Sequence, residues 1–120
     1  SVPAEGLVLV DDADAVIKGF NGRISLDNAG NLNGDTSSGG FPLEVEIGTG
    51  KGTFILARAE ERPYINFLGI EYAYPYAAYT ADRLRRAERE NARMICADAS
   101  AIVQNRIGDE TVLWHSARYP

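Results

Sequence analysis

The stretch EVEIGTGKGTFIL, residues 44–56, predicts the fold of this chain, because an apolar and acidic run breaks there into three glycines at alternate positions. The β-branched run of residues 43–47 precedes the glycines, and residues 53–61 repeat apolar side chains at helical spacing. A glycine-rich turn between a strand and a helix lets the backbone bend sharply and lets a ligand approach closely. The stretch therefore predicts a nucleotide-like ligand over the end of a strand.

The spacing of the glycines narrows the choice of ligand. Gly48, Gly50 and Gly52 follow the pattern G-x-G-x-G, whereas a dinucleotide site with the pattern G-x-G-x-x-G would require a third glycine at Thr53. A phosphate-binding Walker loop is excluded, because Lys51 is not followed by serine or threonine. Taken alone, the glycines also fit a tight strand-to-helix turn that binds nothing.

Downstream of the glycines the sequence alternates strand and helix patterns. Strands are predicted at residues 43–47, 65–71, 92–97 and 111–117, and helices at residues 53–61, 75–90 and 100–107. Strands that alternate with helices pair in parallel through right-handed crossovers. The predicted fold class is therefore α/β, with a partial, Rossmann-like parallel sheet and crossover helices.

The N-terminal third of the chain has a different pattern. Residues 7–10 and 23–26 are short β-like runs, and Asn21-Gly22 predicts a hairpin turn because both residues accept a positive φ. Residues 35–40, DTSSGG, are small and polar and predict a flexible linker.

We therefore divide the chain into a β-rich segment with its linker, residues 1–40, whose function the sequence does not indicate, and a ligand-binding unit, residues 41–120.

Composition sets limits on the function. The 120 residues carry a net charge of −5, which argues against a strongly electrostatic nucleic-acid binder. No apolar run approaches the roughly 20 residues that a membrane span needs. The single cysteine, Cys96, favours a reducing compartment, so we expect a cytoplasmic protein. Residues 27–35 resemble a calcium loop in composition only, since Ala29 stands where a ligand is required, and no metal site is expected.

Three acidic residues lie at or near the ends of the first three predicted strands. Glu46 precedes the first glycine by two residues, Glu71 ends the second strand and Asp98 follows the third. In an open parallel sheet ligands bind beyond the carboxyl ends of the strands. These acids could accept hydrogen bonds from a ribose and an adenine amino group and face a cation, a combination that fits S-adenosylmethionine better than a dinucleotide. Each acid taken singly also fits a solvated strand end.

The motifs together resemble those of the bacterial tRNA (guanine-N7)-methyltransferases. The resemblance covers about residues 42–120 and rests on EIGxGxG, on A-x-x-x-P-x-x-x-F-x-G-I-E and on N-x-R-x-x-x-x-D-A. It implies the first half of an S-adenosylmethionine-dependent catalytic domain that acts on tRNA. The cofactor contacts it implies come from Glu46, Gly48, Gly50, Glu71 and Asp98.

The resemblance also implies a Pro-Asp-Pro-Trp motif whose acid acts in catalysis. The sequence reaches the first proline of that motif at Pro120, so the catalytic acid is expected beyond it. His115 is predicted to lie within a strand and Cys96 to be a small buried side chain, and neither is expected to replace that acid. Where the family often carries a basic residue after Glu71, this sequence has Tyr72-Ala73-Tyr74.

Two other interpretations remain open from the sequence. The chain could be a truncated or chimeric fragment of such a fold without catalytic activity, or a small-molecule methyltransferase or dinucleotide enzyme, which the acidic charge would suit. The arginines of the second predicted helix have acidic neighbours and therefore predict a solvated helix face rather than an RNA contact: Arg83, Arg85, Arg86 and Arg89.

Overall fold

The computed structural model describes residues 7–9, 20, 23–34, 41–108 and 111–115. The strands of this part are β1 Leu7–Leu9, β2 Ser25–Leu26, β3 Leu32–Asn33, β4 Leu43–Ile47, β5 Asn66–Glu71, β6 Ala92–Cys96 and β7 Val112–His115. Its helices are α1 Thr53–Glu61, α2 Tyr74–Arg86 and α3 Ala99–Arg106. A membrane-crossing helix, which must be long and apolar, does not occur among these residues.

The main sheet has five parallel strands in the order β1-β6-β5-β4-β7. The chain runs from β4 through α1 to β5 and through α2 to β6, and β7 then returns to the opposite side of β4. This reversal makes the end of β4 a topological switch point, which is where open α/β sheets bind ligands. The predicted α/β class with parallel strands and crossover helices is confirmed.

The predicted element boundaries agree closely with the structure. Strand β4 and helix α1 have the predicted limits, β5 and β6 differ from the prediction by one residue at one end, and α3 begins and ends one residue earlier than predicted. Strand β7 begins one residue later than predicted, and residues 116–117 of that prediction lie outside the described residues. The periodicity of the apolar side chains was therefore a sufficient guide to this part of the chain.

Alternation along β4 gives the sheet two different faces. Leu43 and Val45 point to one face, and Glu44 and Glu46 point to the other. The first face is buried in the cluster Phe20, Ile24, Leu32, Leu43, Val45, Leu68, Ile70, Ile95, Ala97 and Ile102. Helices α1 and α2 contribute to the cluster on the second face: Ile55, Ala59, Phe67, Ala77, Ala81, Leu84, Ala92 and Met94.

Residues from the N-terminal third pack on this same sheet. Phe20, Ile24 and Leu32 are buried in the first cluster. Arg23 and Asn66 bond reciprocally: Arg23 Nε donates to Asn66 Oδ1 at 3.0 Å, and Asn66 Nδ2 donates to the Arg23 carbonyl at 2.6 Å. The predicted linker, residues 35–40, lies outside the described residues, so the boundary at residue 41 stays a prediction.

The hairpin that the structure describes is formed by β2 and β3, which pair antiparallel. Its turn is held by Asp27, whose Oδ1 accepts the backbone N–H groups of Ala29 at 2.9 Å and Asn31 at 2.8 Å. The turn predicted at Asn21-Gly22 lies outside the described residues. Strand β1 pairs with β6 at the edge of the main sheet.

Helix α2 ends four residues before the predicted limit, at a left-handed residue. The N–H of Glu88 donates to the Arg85 carbonyl and that of Arg89 to the Leu84 carbonyl, each at 3.0 Å. This is the Schellman arrangement, in which the residue after the C-cap takes a positive φ. Glu88 has a φ of 55°, although this position normally favours glycine, which is why the sequence did not indicate a helix end here.

Replacing this residue should stabilise the protein. Glu88→Gly removes the left-handed strain of an L residue, and we expect the free energy of unfolding to rise by about 0.5–1 kcal/mol. Ala87→Gly is the matched control, because Ala87 has a φ of −84° and gains nothing from glycine. Urea unfolding followed by circular dichroism measures both variants. The interpretation is wrong if the urea midpoint of Glu88→Gly is no higher than that of Ala87→Gly.

Candidate functional site

The carboxyl ends of β4, β5 and β6 bring the predicted acids to one edge of the sheet. In the strand register Ile47 lies opposite Ile70, and Glu71 lies opposite Cys96. Glu46 and Glu71 are each only 4% exposed, whereas Asp98, two residues beyond β6, is exposed. The edge therefore offers two buried carboxylates and one that solvent reaches.

Residues 48–52, here named the glycine loop, form the turn between β4 and α1. Gly48, Gly50 and Gly52 all have positive φ, at 77°, 56° and 86°, a conformation that L side chains rarely adopt. At Gly52 an added Cβ would also lie 2.5 Å from Thr80 Cγ2. The positive φ angles therefore favour glycine at all three positions, and the backbone of the loop is not covered by side chains there.

The side chain of Glu71, at the end of β5, binds the backbone of the glycine loop. Its Oε1 accepts the Gly50 N–H at 2.8 Å, and its Oε2 accepts the Ala73 N–H at 3.0 Å. The carboxylate therefore joins the end of β5 to the glycine loop and to the start of α2. A carboxylate offers about four lone-pair positions, so a glutamate can accept hydrogen bonds from several donors at once.

Helix α2 holds the same loop from its side. Thr80 Oγ1 donates to the Gly50 carbonyl at 2.8 Å, and Arg83 Nη1 donates to the Lys51 carbonyl at 2.6 Å. The sequence predicted a solvated helix face for Arg83 and gave no role to Thr80, so both contacts were missed. The one available signal was a hydroxyl at Thr80 within a buried row, where a polar group requires a partner.

The glycine loop packs closely on β5 at Gly69. A Cβ at this position would lie 2.7 Å from Thr49 Cγ2 and 3.1 Å from Ile55 Cδ1. Thr49 itself is fully buried in the glycine loop. The glycine before Ile70 and Glu71 is therefore needed for close packing of the loop on β5.

The two glutamates of β4 have different surroundings. Glu44 Oε1 accepts from Arg58 Nη2 at 3.2 Å and from Trp114 Nε1 at 2.7 Å, so its carboxylate links β4 to α1 and β7. Glu46 lies opposite Gly69 in β5, two residues before the glycine loop. The position of Glu46, rather than its chemistry, distinguishes it from Glu44 as the candidate for ligand contact.

Asp98 directly precedes the third helix, α3, and caps its N-terminus. Its Oδ1 accepts the Ser100 N–H at 2.9 Å, which is the N-cap bond of α3. Because the side chain is exposed at the carboxyl edge, the carboxylate can also accept from an amino group of a ligand. The structure thus brings Asp98 to the predicted edge and adds a capping role.

Asn91, another residue of the family motif, has a structural role. Its Nδ2 lies 3.0 Å from each of the carbonyls of Ala59, Arg62 and Ile65. The side chain therefore supports the C-terminal end of α1 and the start of β5 from the residue before β6. This contact explains the asparagine without any ligand.

Neither of the remaining reactive residues is assigned a catalytic role. His115 ends β7, as its predicted strand position implies. Cys96 is half-buried rather than fully buried, and its Sγ lies 3.7 Å from the Tyr72 carbonyl. Burial raises the pKa of the Cys96 thiol, and the negative charge of Glu71 raises it further. A cluster of three or more candidate metal ligands does not occur among the described residues.

Comparisons with known proteins identify similar sequences and structures. The model of a family described as "Putative methyltransferase" matches residues 41–120. The tRNA (guanine-N(7)-)-methyltransferase of Rhodopirellula baltica is 49% identical over 61 residues, which cover 51% of this chain and 22% of that protein. The enzyme of the same name from Cutibacterium acnes is 41% identical over 75 residues, which cover 61% of this chain and 27% of that protein.

The matched stretch therefore spans less than a third of the length of these relatives. Among solved structures, the plantazolicin methyltransferase BamL in complex with triazolic desmethylPZN analog and SAH has a TM-score of 0.48 and 24% identity. That match covers 59% of this chain and 25% of the other.

The raised pKa of Cys96 leads to a test of its surroundings. Because the thiolate is the reactive form, we expect native Cys96 to react with iodoacetamide more slowly than in the urea-unfolded chain at pH 8. The midpoint of the rate against pH should lie higher in the native protein. The sequence has one cysteine, so mass spectrometry measures a single site. A native midpoint equal to or below the unfolded one would contradict this assignment.

Proposed function

Because the chain belongs to the methyltransferase family whose model spans residues 41–120, we propose that the protein transfers a methyl group from S-adenosylmethionine to N7 of a guanosine in tRNA. The observation that carries the proposal is the buried Glu71 carboxylate, bound to the Gly50 N–H at the switch point of the sheet. The names of the relatives support the choice of tRNA and of guanine N7.

The residues at the edge fit the chemistry of this cofactor. Glu71 accepts the two ribose hydroxyls, and the exposed carboxylate of Asp98 accepts the adenine amino group. Gly48 and Gly50 allow the cofactor to approach the backbone, which a Cβ would prevent. Glu46, two residues before the glycine loop, contributes negative charge toward the cationic end of the cofactor.

The reaction sets modest demands on the residues of this chain. The cofactor supplies a methyl group on a sulfonium, and guanine N7 has an in-plane lone pair that needs no deprotonation. The edge residues bind and orient, so proximity and alignment account for most of the acceleration. A carboxylate near the base would stabilise the positive charge that develops there.

The proposal includes a cytoplasmic location. Cys96 is a free thiol, and a free thiol suits a reducing compartment.

Cofactor binding tests the assignment of the acids. Glu71→Gln places an amide nitrogen against one of the two backbone N–H groups, so we expect the Kd for S-adenosylmethionine to rise at least about tenfold by calorimetry. Asp98→Asn keeps an oxygen for Ser100 and should weaken binding by about three- to tenfold. Glu61→Gln, at the exposed end of α1, is the control and should leave the Kd unchanged.

Circular dichroism first establishes that each variant is folded. If Glu71→Gln and Asp98→Asn are both folded and bind S-adenosylmethionine with unchanged affinity, the assignment of this edge to the cofactor is wrong.

The reaction is tested separately from binding. The intact protein is incubated with tritiated S-adenosylmethionine and tRNA, and the nucleosides are then separated. The proposal requires 7-methylguanosine as the labelled product. Label on another atom, or only on a small molecule, would overturn the choice of substrate, and cofactor binding without transfer would favour a non-catalytic fragment.

A further inference from the structure

One exposed side of α2 carries two tyrosines followed by two arginines. Tyr76, Tyr79, Arg83 and Arg86 have the spacing i, i+3, i+7 and i+10, which places them on one side of a helix. We name this set the tyrosine–arginine stripe. Tyr76 and Tyr79 are 45% and 48% exposed.

The stripe has no part in the core. The opposite side of α2 supplies the buried residues Ala77, Thr80, Ala81 and Leu84. Two further exposed tyrosines, Tyr72 and Tyr74, precede the stripe in the sequence, and Tyr74 lies on another side of the helix from Tyr76. Aromatic side chains concentrated on one exposed face indicate a binding surface, because single scattered apolar residues would be ordinary on a soluble protein.

The stripe is positively charged although the chain as a whole is acidic. Helix α2 contains three arginines and one acid, Asp82. Arg85 and Arg86 pair with Asp82 at 2.8 and 2.9 Å, and these hydrogen bonds hold the pKa of Asp82 below its ordinary value. The aspartate thus stays ionised at neutral pH, and the three arginines still leave two positive charges on the helix.

Electrostatics and aromatic surface coincide within the stripe. The guanidinium carbon of Arg83 lies 5.8 Å from the centre of the Tyr79 ring, a cation–π distance. A surface that places aromatic rings beside cations suits a ligand with flat faces and negative charges. Unpaired nucleotides have both properties, since the bases stack and the phosphates pair with arginine.

The stripe is also next to the cofactor edge. Helix α2 starts three residues after Glu71, and Arg83 bonds the Lys51 carbonyl of the glycine loop at 2.6 Å. A strand of nucleotides on the stripe would therefore run toward the edge where the methyl group is expected.

We propose that the tyrosine–arginine stripe binds an unpaired stretch of the RNA substrate, with bases stacked on Tyr76 and Tyr79 and phosphates paired with Arg83 and Arg86. The identity of the RNA as a substrate rests on the proposed function. The competing possibility is that the stripe contacts a protein, and the effect of the substitutions on RNA binding and on self-association separates the two.

Aromatic substitution tests the stacking. The intact protein binds fluorescently labelled tRNA transcript and, in parallel, a labelled single-stranded oligouridine, and anisotropy gives the Kd for each. The double variant Tyr76→Ala/Tyr79→Ala should bind both at least about tenfold more weakly. Tyr76→Phe/Tyr79→Phe keeps the rings and should bind like the unaltered protein. Tyr64→Ala, which removes a tyrosine that is 74% exposed outside the stripe, is the matched control and should have no effect.

The salt dependence tests the phosphate contact. Arg86→Gln should reduce the slope of log K against log salt by about 0.7–0.9, the value for one phosphate contact. Arg62→Gln, an exposed arginine at the end of α1, should leave the slope unchanged.

Calorimetry with S-adenosylmethionine keeps this proposal distinct from the proposed function. The stripe variants should bind the cofactor with unchanged affinity, and loss of RNA affinity would support the stripe even if no 7-methylguanosine formed. Equal RNA affinity of the Tyr→Ala double variant and the unaltered protein would overturn the proposal. So would loss of self-association, rather than of RNA binding, in that variant, because it would assign the stripe to a protein contact.

Discussion

The hydrogen bond from the Gly50 N–H to the buried Glu71 carboxylate is the contact on which the candidate site depends. Positive φ angles leave the backbone of the glycine loop without a strand or helix partner at Gly50, and an acceptor must satisfy its donor. Glu71 does so while also accepting from Ala73, so a single side chain fixes the loop, the end of β5 and the start of α2. Thr80 then holds the carbonyl of the same glycine. Both polar groups of Gly50 are therefore satisfied by the protein itself.

Much of the fold could be predicted because it follows from periodicity and topology. Short apolar runs define β4 and β5, and apolar side chains at helical spacing define α1. Parallel pairing of the strands then brings Glu71 and Asp98 to one edge of the sheet. The early end of α2 could not be predicted, since a glutamate in the left-handed region carries no sequence signal. The packing of Phe20 and Ile24 on the sheet was equally hidden, because a short β-like run such as residues 23–26 does not show which part of the chain it packs against.

The sequence predicted which acids lie at the edge of the sheet, but it did not predict their contacts. The sequence located the acids, yet it could not distinguish a carboxylate that holds the structure, such as Glu44, from one placed for a ligand. It also assigned Arg83 to solvent, because a helical wheel shows direction and not the distance to a neighbouring loop. Contacts between elements far apart in sequence depend on how α2 lies over the sheet, and no local pattern records that.

The reciprocal bonds between Arg23 and Asn66 have a consequence for how this architecture can change. Asn66 is the first residue of β5, and Asn91 likewise stands at the entrance to β6, so the amide contacts that fasten flanking segments gather at the amino ends of the strands. The candidate ligand edge lies at the opposite ends of the strands. A segment can therefore be added, lengthened or replaced near Asn66 without entering the ligand edge, and the two borders of one sheet are free to evolve under separate selection.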